Sequence, residues 1–286
     1  MAEAIGDQLK VFHSLWGFSG DWYQAILRAK TNGFDGLEVN LLHPSLADLE
    51  PLRVTDALKA NHLGLVVELV SGGDYVPDLA ISPEQHLAEL AEQLPKAERL
   101  YPERITLITG SDSWSVAVQD RFLEQVMNLV EDCSCPVSLE THRSRSLFNP
   151  WTIADRLARH PRLRLTADLS HWCAVSERLM TPELELINAM ADRVDHIHAR
   201  VGHAQGPSVS HPFAPEASDA LEAHRRCWTL FVESQMARGV QKPTITPEFG
   251  PDGYLPTLPF TGMPVADLLE INSAMANWLK QGALNR

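Results

Sequence analysis

The chain has 286 residues, 44% hydrophobic and 21% charged, which suits one large α/β core, and it contains no apolar run long enough to cross a bilayer. Its formal charge of −13 argues against a nucleic-acid surface, which needs clustered Lys and Arg. The start, MAEAIGDQLK, lacks the basic-then-apolar order of a signal peptide. Cys133, Cys135, Cys173 and Cys227 match no zinc or thioredoxin-like spacing, so reduced thiols in a cytoplasmic protein are expected.

Taken in order, LKVFHSLWGF reads as the first strand, with His13 and Trp16 near its end. Asp21 caps the helix beginning WYQAILRAKTNG, and Gly33 stops it. FDGLEVN is a second strand ending near Glu38, DLEPLRVTDALKANH an amphipathic helix, and LGLVVELVSGG a third strand with Glu68 toward its end. Ser82 and Pro83 open the next helix, in which Pro95 predicts a kink. RITLITGSDSW is strand four, followed by a helix from about Val116 to Asp132. PVSLETH is strand five, and Asn149 and Pro150 start a short helix. LRLTADL, VDHIHAR and PTITPEFGP complete eight strands. PELELINAMADR is the helix between strands six and seven. VGHAQGPSVSHPFAPEAS is too broken for regular structure, DALEAHRRCWTLFVESQMARG is a long helix, and VADLLEINSAMANWLKQG closes the chain. No linker interrupts the alternation, so a single (β/α)8 barrel over residues 1–286 is expected.

Four of the later strands end in residues that can bind a metal: Glu140, Asp168, His198 and Glu248. They lie 28, 30 and 50 residues apart in turn. A βα unit takes roughly 30 residues or more, so the spacing places all four at the same end of a barrel. Three carboxylates and one imidazole favour Mn²⁺, Mg²⁺ or Co²⁺ over a thiolate-seeking metal. His196 and His198 are read as alternating across their strand, so that only one faces the interior; His198, nearer the C-terminal end, is preferred. His142 shares the side of Glu140. Arg143, Arg145 and Arg200 are candidates for acidic or hydroxylated substrate groups, and Trp16, Trp114 and Trp172 for aromatic walls.

At LETH, the DxxH unit of Asp168 and His171, the second His of HIH and TPEFGP, the chain resembles the xylose-isomerase-like TIM barrels. That superfamily holds sugar isomerases, sugar epimerases and AP endonuclease family 2. The resemblance runs over nearly the whole chain by strand count and order. It implies one divalent ion on Glu140, Asp168, His198 and Glu248, with Mn²⁺ the leading candidate and Mg²⁺, Co²⁺ or Zn²⁺ the others. It also implies acid/base roles for Glu140 and Glu248 and a substrate contact at His171. Arg200, His142, Trp16 and Glu68 complete the expected substrate site.

The departures are specific. Ketose 3-epimerases place an Arg six residues after the metal His, where this chain has Ala204; its nearest basic side chain is Arg200. The extra histidines of the DNA-repair branch are missing from VVELVSGG and TLITGSDS, and the Lys-containing set of two-metal xylose isomerases is not found. HARVGHAQGP is similar to a segment of proteins labelled sugar phosphate isomerase/epimerase. The expected function is a metal-dependent sugar isomerase or epimerase. A sugar or polyol dehydratase or deglycosidase on the same scaffold is the alternative, and a non-catalytic binder the third reading. The expected partner is a small carbohydrate or polyol, with neither nucleic acid nor membrane; a homo-oligomer is left open.

Overall fold

The computed structural model describes residues 5–285. Eight parallel strands close into a barrel in chain order: β1 Lys10–Ser14, β2 Gly36–Asn40, β3 Gly64–Val70, β4 Arg104–Ile108, β5 Val137–Glu140, β6 Leu165–Ala167, β7 Val194–His198 and β8 Thr244–Thr246. β8 pairs with β1 through Lys10–Thr244 and Val11–Ile245. The helices are α1 Ile5–Gln8, α2 Trp22–Thr31, α3 Pro51–Ala60, α4 Pro83–Glu98, α5 Val116–Leu129, α6 Ile153–Arg159, α7 Leu169–Ser176, α8 Glu185–Met190, α9 Ser218–Ala237 and α10 Leu268–Trp278. No helix among the described residues is long and apolar enough to cross a membrane.

Local chemistry sets these boundaries. Asp21 and Gln24 form a reciprocal capping box at the start of α2, and Ser82 and Gln85 do the same at α4 with Pro83 in its first turn. Gly33 sits at φ +74° just past α2, where a Cβ would be strained. Asn149 and Pro150 open a 3₁₀ turn that leads into α6. Pro95 falls within the last turn of α4.

Side chains alternate along each strand, so one set faces the helices and the other the barrel axis. The outer set, including Leu37, Val39, Val67, Leu69, Ile105, Leu107, Leu139, Ile197 and Ile245, belongs to the apolar core. The inner set is mostly polar, with Phe12 and Ile108 among its apolar members. Thr166 Oγ1 lies 3.1 Å from Thr106 Oγ1 and 2.7 Å from Ser138 Oγ, and His196 Nδ1 lies 2.7 Å from Thr244 Oγ1. Barrel interiors are usually filled by Val, Ile and Leu. Here hydroxyls and imidazole fill the middle, beneath the buried Glu38, Glu68, Glu140, Asp168, His198 and Glu248.

The loops beyond the C-terminal strand ends differ in how they are held. Buried Arg145 donates to the carbonyls of Ser71, Asp74 and Tyr75 after β3 and of Gly110 after β4. The loop after β8 turns back on itself, with Leu258 N–H donating to Met263 O at 2.7 Å. It exposes Leu258, Met263 and Val265 and leaves Phe260 fully exposed.

Candidate metal centre

His198, at the end of β7, is the pivot of the site. Its Nε2 lies 3.0 Å from Glu38 Oε1, while Nδ1 lies 3.1 Å from Glu248 Oε2 and 3.6 Å from Glu140 Oε1. The expectation that only one of His196 and His198 faces inward is corrected here. Residues two apart on a strand share a face, and both imidazoles reach Glu38, His196 through Nε2 at 3.1 Å from Oε2. Only His198 is level with the carboxylates above.

Glu140 ends β5, Asp168 follows β6, and Glu248 lies two residues beyond β8. One donor atom from each, with one from His198, all lie within 4.8 Å of one another. Atoms bound to one ion at roughly 2.1 Å stand at most about 4.2 Å apart, so the set needs only a small contraction. Two further features fit a cation. His198 Nδ1 and Glu140 Oε2 are buried and find no hydrogen-bond partner among the described residues. Nδ1 lies close to the facing Glu248 oxygen yet makes no aligned hydrogen bond with it.

Asp168 is also the N-cap of α7, a helix that the sequence reading did not assign. Its Oδ1 accepts from Ser170 N–H at 2.8 Å and Ser170 O–H at 2.5 Å. Its Oδ2 accepts from Arg200 Nη2 at 2.5 Å. Arg200 was expected to meet substrate, but its donors go elsewhere. They reach Asp168, Ser170 Oγ at 3.0 Å, Glu248 O at 3.3 Å and His171 Nε2 at 2.7 Å. Its Nη1 is also 3.4 Å from Glu248 Oε2. Arg200 is thus a buried counter-ion to two of the three carboxylates.

Burial pushes Glu140 up to about 7 against the pull of His198. Burial also works to raise Glu248, but His198 and Arg200 outweigh it and hold that carboxyl below its usual range. Burial pushes the Asp168 carboxyl up, and Arg200 and the Ser170 donors pull against it. Burial lowers His198, yet Glu248, Glu38 and Glu140 together carry it well above its usual value.

A cavity of about 270 Å³ opens above this set, lined by Trp16, Asp74, Tyr75, Val76, Ile108, Glu140, His142, Arg143, His171, Arg200, Glu248, Asp252 and Tyr254. Trp16 and His142 are on its wall. Trp16 Nε1–H donates to Asp252 at 2.9 Å, and its ring meets Tyr254 edge-on at 4.9 Å. His142 packs against His171 with ring centres 3.9 Å apart and planes tilted by 47°, and its Nδ1–H donates to the Arg143 carbonyl, leaving Nε2 as acceptor. Burial holds His142 and His171 well below the usual imidazole range, so both are neutral. The Nε2 of His171 accepts from Arg200 and lies 3.5 Å from Glu140 Oε1.

Arg145, also expected to meet substrate, is absent from the cavity wall and donates to four loop carbonyls instead. Three further residues stand away from the wall. Glu68 is buried but absent from the cavity wall; burial and the charges of Glu248 and Glu38 raise its carboxyl well above the usual range. Trp172 is buried with Nε1–H on Leu147 O, and Trp114 packs on His86 and Phe122, so neither forms a wall. The sequence reading missed Tyr75, Tyr254 and the role of Glu38. The tyrosines lie in loops, where no periodicity marks them, whereas Glu38 could have been found from its strand-end position opposite VDHIHAR.

No protein-family model matches the chain, and no curated protein sequence matches it. Its fold is that of xylose isomerase-like TIM barrels. It is similar to a D-allulose 3-epimerase from Methylomonas sp. solved with D-allulose, at 14% identity over 96% of this chain and 97% of that one, TM-score 0.63. A xylose isomerase-like TIM barrel protein from Mycobacterium smegmatis solved with magnesium is 14% identical over 98% of each chain, TM-score 0.64. Endonuclease IV from Thermus thermophilus is 17% identical over 96% of this chain and 98% of that one, TM-score 0.60. An epimerase and a nuclease on one fold show that the scaffold does not choose the reaction.

Proposed function

We propose that this xylose isomerase-like barrel is a metal-dependent sugar isomerase or epimerase that moves a proton at a carbon next to a carbonyl. The observation that carries it is the pair Glu140 and Glu248. They come from β5 and from beyond β8, both line the cavity, and both approach His198 Nδ1, at 3.6 and 3.1 Å. The likeness to an epimerase solved with D-allulose supports a small carbohydrate as the ligand.

Glu140, Asp168, His198 and Glu248 would hold the ion, Mn²⁺ before Mg²⁺, Co²⁺ or Zn²⁺. A bound divalent cation draws electron density from a carbonyl and stabilises the negative charge that forms there. Glu248, whose carboxylate faces the Arg200 guanidinium at 3.4 Å, takes the proton from the carbon. Glu140, carrying a proton on its otherwise unpartnered Oε2, delivers it from its own side of the cavity, and exchange with solvent returns both carboxyls to their starting states. Neutral His142 offers Nε2 to a substrate hydroxyl. Trp16, Tyr75 and Tyr254 give the cavity the aromatic wall on which a sugar ring packs.

The test is solvent deuterium exchange, followed by NMR, in a panel of ketoses and aldoses with the Mn²⁺-loaded protein. Exchange with formation of an epimer or isomer is expected. Loss of water or of an aglycone would move the assignment to a lyase. Binding without exchange would leave a carbohydrate-binding protein.

A further inference from the structure

Of the two arginines on the cavity wall, one is spent and the other is not. Arg200 is consumed by Asp168, Glu248, Ser170 and His171. Arg143 has no carboxylate partner among the described residues. Its guanidinium lies over the Tyr254 ring, 5.0 Å from the ring centre. The loop carrying it is built to hold it there. Arg145, two residues on, is buried and locked onto four carbonyls of the neighbouring loops. Between them Ser144 adopts φ +65°, a left-handed conformation unfavourable for serine, and its carbonyl accepts from Asp112 N–H at 3.1 Å. Strain of this kind persists only where the surroundings over-determine it, and its result is to set Arg143 on the cavity wall.

We infer that Arg143 receives the anionic end of the substrate, and that the substrate is a sugar acid: a keto sugar with a carboxylate at the end remote from its carbonyl. The inference rests on the proposed isomerase or epimerase reading of the same site. A planar guanidinium pairs two N–H groups with two carboxylate oxygens, a match that a neutral hydroxymethyl end cannot make. Arg143 is the one wall cation without a carboxylate partner among the described residues, which suits a monoanion; with Asp74 and Asp252 also on the wall, a phosphate dianion would meet more negative charge than one guanidinium offsets. Asp252 accepts from Trp16, and Asp74 accepts from the Tyr75 backbone at 2.7 Å, so each carboxylate has a donor within the wall.

The experiment is calorimetric binding of D-fructose, D-fructuronate and D-fructose 6-phosphate to the Mg²⁺-loaded protein, to Arg143→Gln and to Arg143→Lys, with thermal melts to confirm folding. D-fructuronate should bind about tenfold or more tightly than D-fructose, the factor expected of one charge-assisted pair. Arg143→Gln should erase that preference and Arg143→Lys keep part of it. Equal binding of the two sugars, no binding of D-fructuronate, a preference surviving in Arg143→Gln, or tighter binding of the phosphate each overturns the inference. Deuterium exchange on the same sugars separates the two ideas. Exchange without a charge preference sinks the sugar acid and keeps the isomerase. A charge preference without exchange does the reverse.

Discussion

Glu38 and His198 meet across the barrel axis, with Nε2–H of His198 donating to Glu38 Oε1 at 3.0 Å. That bond fixes the imidazole tautomer and turns Nδ1 toward Glu140 and Glu248. Glu38 is therefore a positioning residue for a ligand it does not accompany. Glu38→Gln keeps an acceptor but removes the charge. Metal affinity measured by titration calorimetry should fall about 10–100-fold, the usual loss when such a partner is changed. An unchanged affinity would show that the ring is held by packing alone.

Glu248→Gln keeps an oxygen donor at the same place but cannot take up a proton as a base. Metal should be partly retained while turnover falls by roughly 10²–10⁴-fold. Near-normal turnover would exclude the two-carboxylate mechanism and leave Glu140 as the sole base.

Arg200→Gln removes the counter-ion from Asp168 and Glu248, which are buried within a few ångströms of its guanidinium. Breaking a buried pair from one side typically costs about 3–5 kcal/mol. The metal-free variant should melt well below the metal-free parent. Added Mn²⁺ should raise the melting temperature of the variant by more than that of the parent, because the cation then supplies the missing charge. Equal metal-induced shifts would count against Arg200 as the resident counter-ion.

His13 faces outward from β1 and stacks on Phe34 at 4.9 Å, with both ring nitrogens buried and unpartnered. Burial, helped by Arg28, lowers it to about 4 from 6.5. The unfolded chain then binds more protons than the folded one between those values. Stability present above pH 6.5 is lost as pH falls toward 4. His13→Phe should flatten the acid side of a melting-temperature profile over that window. A profile as steep as the parent's would assign the acid loss to other groups.

The barrel was legible because strands and helices announce themselves by periodicity, and because Asp21, Gly33, Ser82 and Asn149 mark element ends by local backbone chemistry. The convergence of Glu140, Asp168, His198 and Glu248 was legible because strand spacing fixes which end of a barrel a residue reaches. Asp168 shows the limit. One side chain both caps α7 and joins the cluster, so a capping signal and a ligand signal coincide, and the helix LSHWCAVS, buried along most of its length, carries no amphipathic stripe to reveal it.

Arg200 shows a second limit. An arginine near a substrate site reads as a substrate contact until the positions of Ser170, His171 and Glu248 show where its hydrogens go. Those partners lie 29 to 48 residues away, and nothing in the local sequence reports them. The same holds for Tyr254, placed by a loop between Trp16 and two guanidinium groups.

The single side chain of Arg145 divides the rim of the cavity into two mechanical halves. The turns after β3, β4 and β5 share its hydrogen bonds and must travel as one piece. The stretch after β8 is outside that clasp and carries its apolar tip, Leu258, Phe260 and Met263, in solvent. The rim therefore has a side clasped by one guanidinium and a side outside that clasp. Tyr254 stands at the base of the unclasped segment, so Arg143 and the ring beneath it come from opposite sides of the rim.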